Sequence, residues 1–139
     1  MACIRAACIR AKINLVACEG STFEKKFVWK SGDPAEAVDL TGYEGECHIR
    51  DKISDEEPVF ILENGVGVVI DADQTEDGNR GHYKLYMDDE VTRDECPGYR
   101  DRKMVYDLRL VAPDGTVRLQ QYGEFKLQPA VTRPWLLGT

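Results

Sequence analysis

The sequence lacks any apolar run long enough to cross a bilayer. Its longest, Gly65 to Ile70, is far shorter than the roughly 20 residues a membrane-spanning helix needs, so we expect no membrane insertion. Nucleophile-elbow and glycine-rich phosphate-loop motifs are also missing. The two histidines, His48 and His82, accompany no recognisable nucleophile motif. We therefore predict no enzymatic activity and no cofactor, and a small hydrolase using His82 is the weakest alternative.

Basic residues are in the minority, 18 against 25 acidic ones, for a net charge of -7. This balance argues against a nucleic-acid binder, because such proteins neutralise phosphates with Lys and Arg. Residues 1–30 nevertheless carry six basic and two acidic side chains, a local charge of +4 that leaves -11 on the rest. A basic segment on an acidic body can pair with another copy of that body.

Two acidic segments invite a metal-site interpretation, and neither fits. In the segment that begins at Asp71, Glu76 and His82 occupy the positions where a calcium-binding EF-hand loop needs Gly and Glu. The second segment, Asp88 to Arg102, is acidic and contains Pro97-Gly98, which is typical of a long loop. We interpret both as solvated loops and predict no metal site.

The five cysteines show no C-x-x-C spacing, so neither a zinc ribbon nor a redox pair is indicated. Cys47 shares a predicted strand face with apolar residues, and we expect it to be a buried, reduced thiol. We expect Cys3 or Cys8 to lie near a cysteine of a neighbouring chain, with Cys96 in the acidic loop as its mate. Such a pair would form inter-subunit disulfides outside a reducing compartment.

The first residues contain a direct duplication, in which Ala2-Cys3-Ile4-Arg5-Ala6 is repeated as Ala7-Cys8-Ile9-Arg10-Ala11. A five-residue period matches neither a strand nor a helix. We therefore interpret residues 1–10 as an extended N-terminal arm that contacts other subunits. Arg5 and Arg10 are expected to be drawn to the acidic loop of a neighbour.

From Ala11 onward the pattern is one of short alternating strands separated by turns, without a convincing amphipathic helix. It predicts an all-β fold, an immunoglobulin-like antiparallel β-sandwich over residues 11–131. Ala112 to Gly115 and Asn64-Gly65 are each predicted to be hairpin turns. The predicted core residues are Phe27, Trp29, Ile49, Ile61, Val68, Leu85, Tyr106, Leu108, Leu110, Val117 and Phe125.

Residues 132–139 are predicted to be an extended C-terminal arm. Pro134 biases the residue before it towards an extended conformation. Trp135, Leu136 and Leu137 then form an apolar cluster that lowers solubility unless something covers it. We expect this cluster to contact other subunits.

Several motifs occur in an order that points to one class of protein. They are Phe27 to Lys30, Val38 to Tyr43, Cys47 to Asp51, Val105 to Leu110, Pro113 to Gly115, Val117 to Leu119, Gly123 and Val131 to Pro134. In this order the chain resembles, over residues 11–134, the N-terminal domain of phage baseplate upper proteins and related prophage tail proteins. The resemblance implies a non-enzymatic virion structural protein of a tailed bacteriophage, in the tail, baseplate or neck and collar, whose partners are further copies of itself and other virion proteins.

Two alternatives remain open. The same sandwich suits a capsid decoration protein. A carbohydrate- or receptor-binding module would instead use an aromatic platform built from Trp29, Tyr83, Tyr86, Tyr99 or Trp135. Of these, Trp29 is better placed for the core, and Trp135, past the last strand, for an exposed contact.

Overall fold

The computed structural model describes residues 11–137, and in this range it contains β-strands joined by loops and short 3-10 turns. The strands are Ala11–Lys12 (β1), Leu15–Cys18 (β2), Phe23–Val28 (β3), Lys30–Ser31 (β4), Glu36–Ala37 (β5), Glu44–Arg50 (β6), Phe60–Leu62 (β7), Val68–Ile70 (β8), His82–Met87 (β9), Arg102–Val111 (β10) and Val117–Gln128 (β11). The 3-10 turns are Asp89–Thr92, Pro97–Tyr99 and Pro134–Leu136. The all-β prediction is confirmed.

Two sheets pack face to face. The larger has the order β1-β11-β10-β6-β7, with β2 also pairing with β11, and the smaller has the order β3-β9-β8. Phe23 of the smaller sheet meets Phe125 of the larger one edge-on, with ring centroids 5.3 Å apart. Between the same sheets, the Tyr83 hydroxyl donates a hydrogen bond to Oε1 of Gln121. The larger sheet is mixed rather than purely antiparallel, because β1 and β2 run parallel to β11.

Most predicted core positions are buried, as the alternation along β6, β9 and β10 requires. Phe27 and Trp29 are partly buried and pack against the core. Cys47 is fully buried, as expected, and burial raises the pKa of its thiol. The predicted residues that are buried are Ile49, Val68, Leu85, Tyr106, Leu108, Leu110 and Phe125.

Two predicted core residues, Ile61 and Val117, are exposed instead. Ile61 lies in a strand whose three residues are all apolar, so the alternation does not reveal which ones point inward; Phe60 and Leu62 do. In β11 the register with β10 shifts between Leu108 and Arg109. This bulge reverses which residues of β11 face the core, so Val117 points outward although Phe125 points inward.

The predicted hairpin turns have different outcomes. Ala112 to Gly115 joins β10 to its antiparallel partner β11, as expected. Asn64-Gly65 is a turn, but β7 pairs with β6 and β8 pairs with β9, so it carries the chain from one sheet to the other. Gly67 permits this crossing, because a Cβ atom there would collide with Leu62. The hairpin predicted here was wrong.

Candidate functional site

The outer face of the larger sheet carries a row of polar side chains. In the strand register, Asp107 lies opposite His48 of β6 on one side and opposite Tyr122 of β11 on the other. Tyr122 in turn lies opposite Lys12 of β1. Residues directly opposite each other project from the same face of a sheet, so four neighbouring strands each contribute one side chain to this row.

The row lies in an open groove of about 720 Å³. One rim is the segment between β1 and β2, which runs beside the edge of β11 and approaches it closely. A Cβ atom at Gly123 would collide with the carbonyl oxygen of Ile13, so only glycine permits this approach. This segment is held by three hydrogen bonds: the Ile13 amide donates to the Tyr122 carbonyl (2.8 Å), Tyr106 donates to the Ile13 carbonyl (2.7 Å), and the Glu124 amide donates to Asn14 Oδ1 (3.0 Å).

The opposite rim is built from β6 and the loop after it. His48 Nε2 lies 2.8 Å from a carboxylate oxygen of Glu46, and Arg50 Nη1 lies 3.3 Å from His48 Nδ1. This network fits an imidazole that donates from Nε2 and accepts at Nδ1. Arg50 Nε also donates to the carbonyl of Asp55 (3.0 Å), which fastens the loop to the strand. The polar side chains of this rim therefore hold one another in place.

A buried hydrogen-bonded chain lies beneath the groove. Tyr83 donates to the Gln121 side chain, whose Nε2 donates to the Tyr106 hydroxyl at 3.0 Å. The Tyr106 hydroxyl in turn donates to the carbonyl of Ile13 at the rim of the groove. Burial raises the pKa of Tyr106 to about 12, so it remains a protonated donor throughout the physiological range. This chain couples the sandwich interior to the rim of the groove.

Residues 132–137, which we call the C-terminal segment, fold back onto the domain. The prediction for residues 132–139 was an extended arm. The Trp135 indole N–H donates to Oδ1 of Asp94 (3.0 Å), and Arg93 lies over the Trp135 ring at 5.5 Å. Gly20 makes room for the ring, since a Cβ atom there would collide with it. Trp135 is therefore half-buried against its own domain, and its predicted contact with other subunits stays a prediction.

The next two residues remain exposed. Leu136 is 51% exposed and Leu137 is 78% exposed, so both are accessible to a partner, and their predicted subunit contacts stay predictions. Nearby, Val131 is 94% exposed. The Arg133 guanidinium lies 4.2 Å from the centroid of the Tyr99 ring, which fixes the segment between these apolar residues.

The predicted disulfide mate, Cys96, is buried and its thiol donates to the carbonyl of Leu127 at 3.5 Å. Burial, with the nearby Glu19 carboxylate, raises the pKa of Cys96 to about 11, which disfavours the reactive thiolate. Cys18, by contrast, is exposed. An inter-subunit bond at Cys96 would require this loop to open. The remaining predicted contact residues, Cys3, Arg5, Cys8 and Arg10, lie outside the described residues.

The aromatic residues named for a binding module lie in different surroundings, and of these Tyr99 is 67% exposed. Tyr83 is buried between the sheets. Tyr86 lies on the opposite, outer face of the same strand, where its hydroxyl donates to Asp88. Trp29 packs edge-on against Tyr43. Apart from His48, which was considered only as a catalytic histidine, the groove residues were not singled out from the sequence, although the alternation of β10 already placed Asp107 on the face opposite the core.

Residues 11–137 contain no group of three or more His, Cys, Asp or Glu side chains placed to hold a metal ion. Within the same residues, no helix is long and apolar enough to cross a membrane.

No protein-family model matches the chain, and no curated protein matches it. Among solved structures, the chain is similar to the sialic acid binding region of a Streptococcus sanguinis SK1 adhesin bound to 3'sLn, with 13% sequence identity and a TM-score of 0.41. The match covers 87% of this chain and 29% of the adhesin chain.

Proposed function

We propose that this protein is a non-enzymatic structural protein of a tailed bacteriophage virion, with an immunoglobulin-like sandwich that assembles in several copies. The proposal begins from the resemblance in motif order described above. Its position in the tail, baseplate, neck or collar, or on the capsid surface, belongs to the same proposal.

The observation that carries the proposal is the C-terminal segment, which exposes apolar side chains from a fixed backbone. Trp135 holds the segment through Asp94, while Leu136 and Leu137 point to solvent. Exposed apolar groups on an ordered segment favour association, because little conformational entropy is lost when a partner covers them. A second copy or another virion protein would supply that cover.

Sheet edges provide a second kind of contact. Within residues 11–137, β3 and β7 each have a strand neighbour on one side only. An edge strand can accept a strand from another chain through main-chain hydrogen bonds. On β3 the side chains of Glu24, Lys25 and Lys26 are exposed, and such charges disfavour unspecific edge pairing. The short β7, with Ile61 exposed, is the less protected edge.

Light scattering coupled to size-exclusion chromatography tests the assembly. We expect the whole chain to form multimers, and Leu136→Asp/Leu137→Asp to shift it to the monomer with unchanged thermal stability. Val66→Asp is the matched control, because Val66 is 73% exposed but lies in the turn between β7 and β8. A monomeric parent protein, or equal effects of both variants, would contradict assembly through the C-terminal segment.

Sedimentation tests the virion assignment separately. In a lysate of a phage that encodes this chain, we expect the protein to band with the tailed particles in a density gradient. Recovery in the soluble fraction alone would contradict a virion role, whatever the oligomeric state.

A further inference from the structure

We propose that the groove on the outer face of the larger sheet is a binding site for a neutral oligosaccharide. This site goes beyond the assembly role, since it uses neither the C-terminal segment nor a sheet edge. Its volume of about 720 Å³ falls within the range of small-molecule sites, roughly 300–1,000 Å³.

The balance of charge in the groove excludes strongly charged ligands. Three Lys or Arg and four Asp or Glu side chains line it, so the charges nearly cancel. A nucleic acid would require a basic surface, and a cation would require clustered acids. The lining suits a ligand that carries little charge and many polar groups.

The mixture of donors and acceptors suits hydroxyl groups in particular. Each sugar hydroxyl both donates and accepts, so a sugar ring is best bound where carboxylates and cationic donors alternate. In the register, Val105 lies between Arg50 and Glu124 in one row. In the next row, His48 lies opposite Asp107, and Tyr122 lies between Asp107 and Lys12. Cationic donors and carboxylates therefore alternate at one or two strand spacings, about 5–10 Å.

Tyr122 supplies the apolar part of the site. It is half-buried, lies between Asp107 and Lys12 in the row, and borders the groove. An aromatic side chain with a polar tip can pack against the C–H face of a sugar while its hydroxyl remains in the polar network. Val105, 38% exposed, extends this apolar strip along the neighbouring strand.

The backbone of the groove argues against a peptide added as a strand. The floor strands β6, β10 and β11 each pair on both sides, so their backbone groups are already used. Ligand recognition must therefore come from side chains. Those side chains are held in advance: Arg50 by the carbonyl of Asp55, Asn14 by the Glu124 amide, and His48 by Glu46. Such preorganisation lowers the entropy cost of binding.

Nuclear magnetic resonance titration of the ¹⁵N-labelled whole chain tests the site. The probes are lactose, maltotriose, chitotriose and mannotriose, with an anionic hyaluronan tetrasaccharide as comparator. We expect at least one neutral probe to shift amide signals of the groove strands. Tyr122→Ala should then weaken its affinity by about tenfold or more, and Asp107→Asn should weaken it as well.

Tyr86→Ala is the matched control, since it removes a tyrosine from the outer face of the smaller sheet and should leave affinity unchanged. The dispersion of each variant's spectrum reports whether it is folded, and if Tyr122→Ala unfolds, Asp107→Asn decides. The proposal is overturned if no neutral probe shifts groove signals, if only the anionic probe does, or if both groove variants bind like the parent. The titration tests the groove separately from the assembly, because the groove variants leave Leu136 and Leu137 unchanged and only L136D/L137D is designed to disrupt the assembly.

Discussion

Two acidic loops of this protein, residues 71–81 and 88–101, look alike in sequence but are ordered by different interactions. In the first, which we call the Gln74 loop, a single neutral side chain lies buried at the centre. Its Oε1 accepts from the amides of Leu40 (3.0 Å) and Gly81 (2.9 Å), and its Nε2 donates to the carbonyls of Asp71 (2.8 Å) and Asn79 (3.2 Å).

The second, the Arg102 loop, is fastened by charge at its edges. Arg102 makes a bidentate pair with Asp51, with both distances 2.8 Å, and also donates to the Glu95 carbonyl at 2.9 Å. Trp135 packs on the tip of this loop and donates a hydrogen bond to Asp94. Asp94 has a positive φ of 60°, which is uncommon for a non-glycine residue. Buried amide bonding and exposed ion pairing differ in strength and in response to pH, which makes the two loops separable by experiment.

The largest effect should come from Gln74→Leu. This change removes four hydrogen bonds and leaves the amides of Leu40 and Gly81 and the carbonyl of Asp71 without their partner, whereas the Asn79 carbonyl still accepts from the His82 amide. Each unsatisfied group costs about 1–3 kcal/mol before relaxation. We expect a loss of about 3–5 kcal/mol in the free energy of unfolding, measured by urea denaturation. Asp73→Ala, in an exposed turn of the same loop, should cost about 0.5 kcal/mol or less. Equal losses in the two variants would show that Gln74 is not the centre of the loop.

An intermediate effect is expected for Asp51→Asn, about 1 kcal/mol at neutral pH, because the pair is partly solvent-exposed. Hydrogen bonding from Arg102 lowers the pKa of Asp51 in the folded chain. The pair therefore stabilises fully above the ordinary Asp value of about 3.9 and is lost as pH falls through the lower folded value.

Urea denaturation as a function of pH tests whether the stabilisation by the Asp51–Arg102 pair is lost as the pH falls. The difference between the parent and Asp51→Asn should shrink towards zero as the pH falls below about 3.9, whereas the Gln74→Leu difference, which involves no titrating group, should persist. A pH-independent Asp51→Asn difference would contradict the assigned role of the ion pair.

The smallest effect should come from Trp135→Ala, about 1 kcal/mol or less in global stability, since the side chain is only half-buried. Its effect should be local. Hydrogen exchange should accelerate in the Arg102 loop around Asp94 and remain unchanged in the Gln74 loop. Trp135→Phe, which removes the indole N–H but keeps a ring over Gly20, should accelerate exchange less. Acceleration in both loops would show that the C-terminal segment acts on the whole sandwich.

Local sequence patterns predict much of the fold. The alternation of Met104, Tyr106, Leu108 and Leu110, followed by the turn at Pro113 to Gly115, predicted β10 and its hairpin with β11, and both are present. Cys47 was placed in the core from its strand face alone. These features depend on residues close in sequence, for which side-chain period and turn chemistry suffice.

The candidate groove could not be predicted in the same way. Its row joins residues 12, 48, 107 and 122, which come together only through the pairing of β1, β6, β10 and β11. Gly123 stood out in the sequence only as one motif among several, and its purpose depends on the close approach of the Ile13 backbone. Likewise, nothing local distinguishes Gln74 from other polar loop residues before Leu40 is brought beside it.

The amino-acid order alone was enough for the strand content, the buried face of β10 and the acidic, helix-poor character of the chain. These are short-range properties, because they depend on the alternation of apolar side chains and on glycine and proline in turns. The partners of β7 and β8, the reversal of β11 at its bulge, the return of Trp135 to its own domain and the assembly of the groove were decided by tertiary structure. Each depends on which distant strands share an edge, and the energies that select those partners come from packing between residues far apart in the chain.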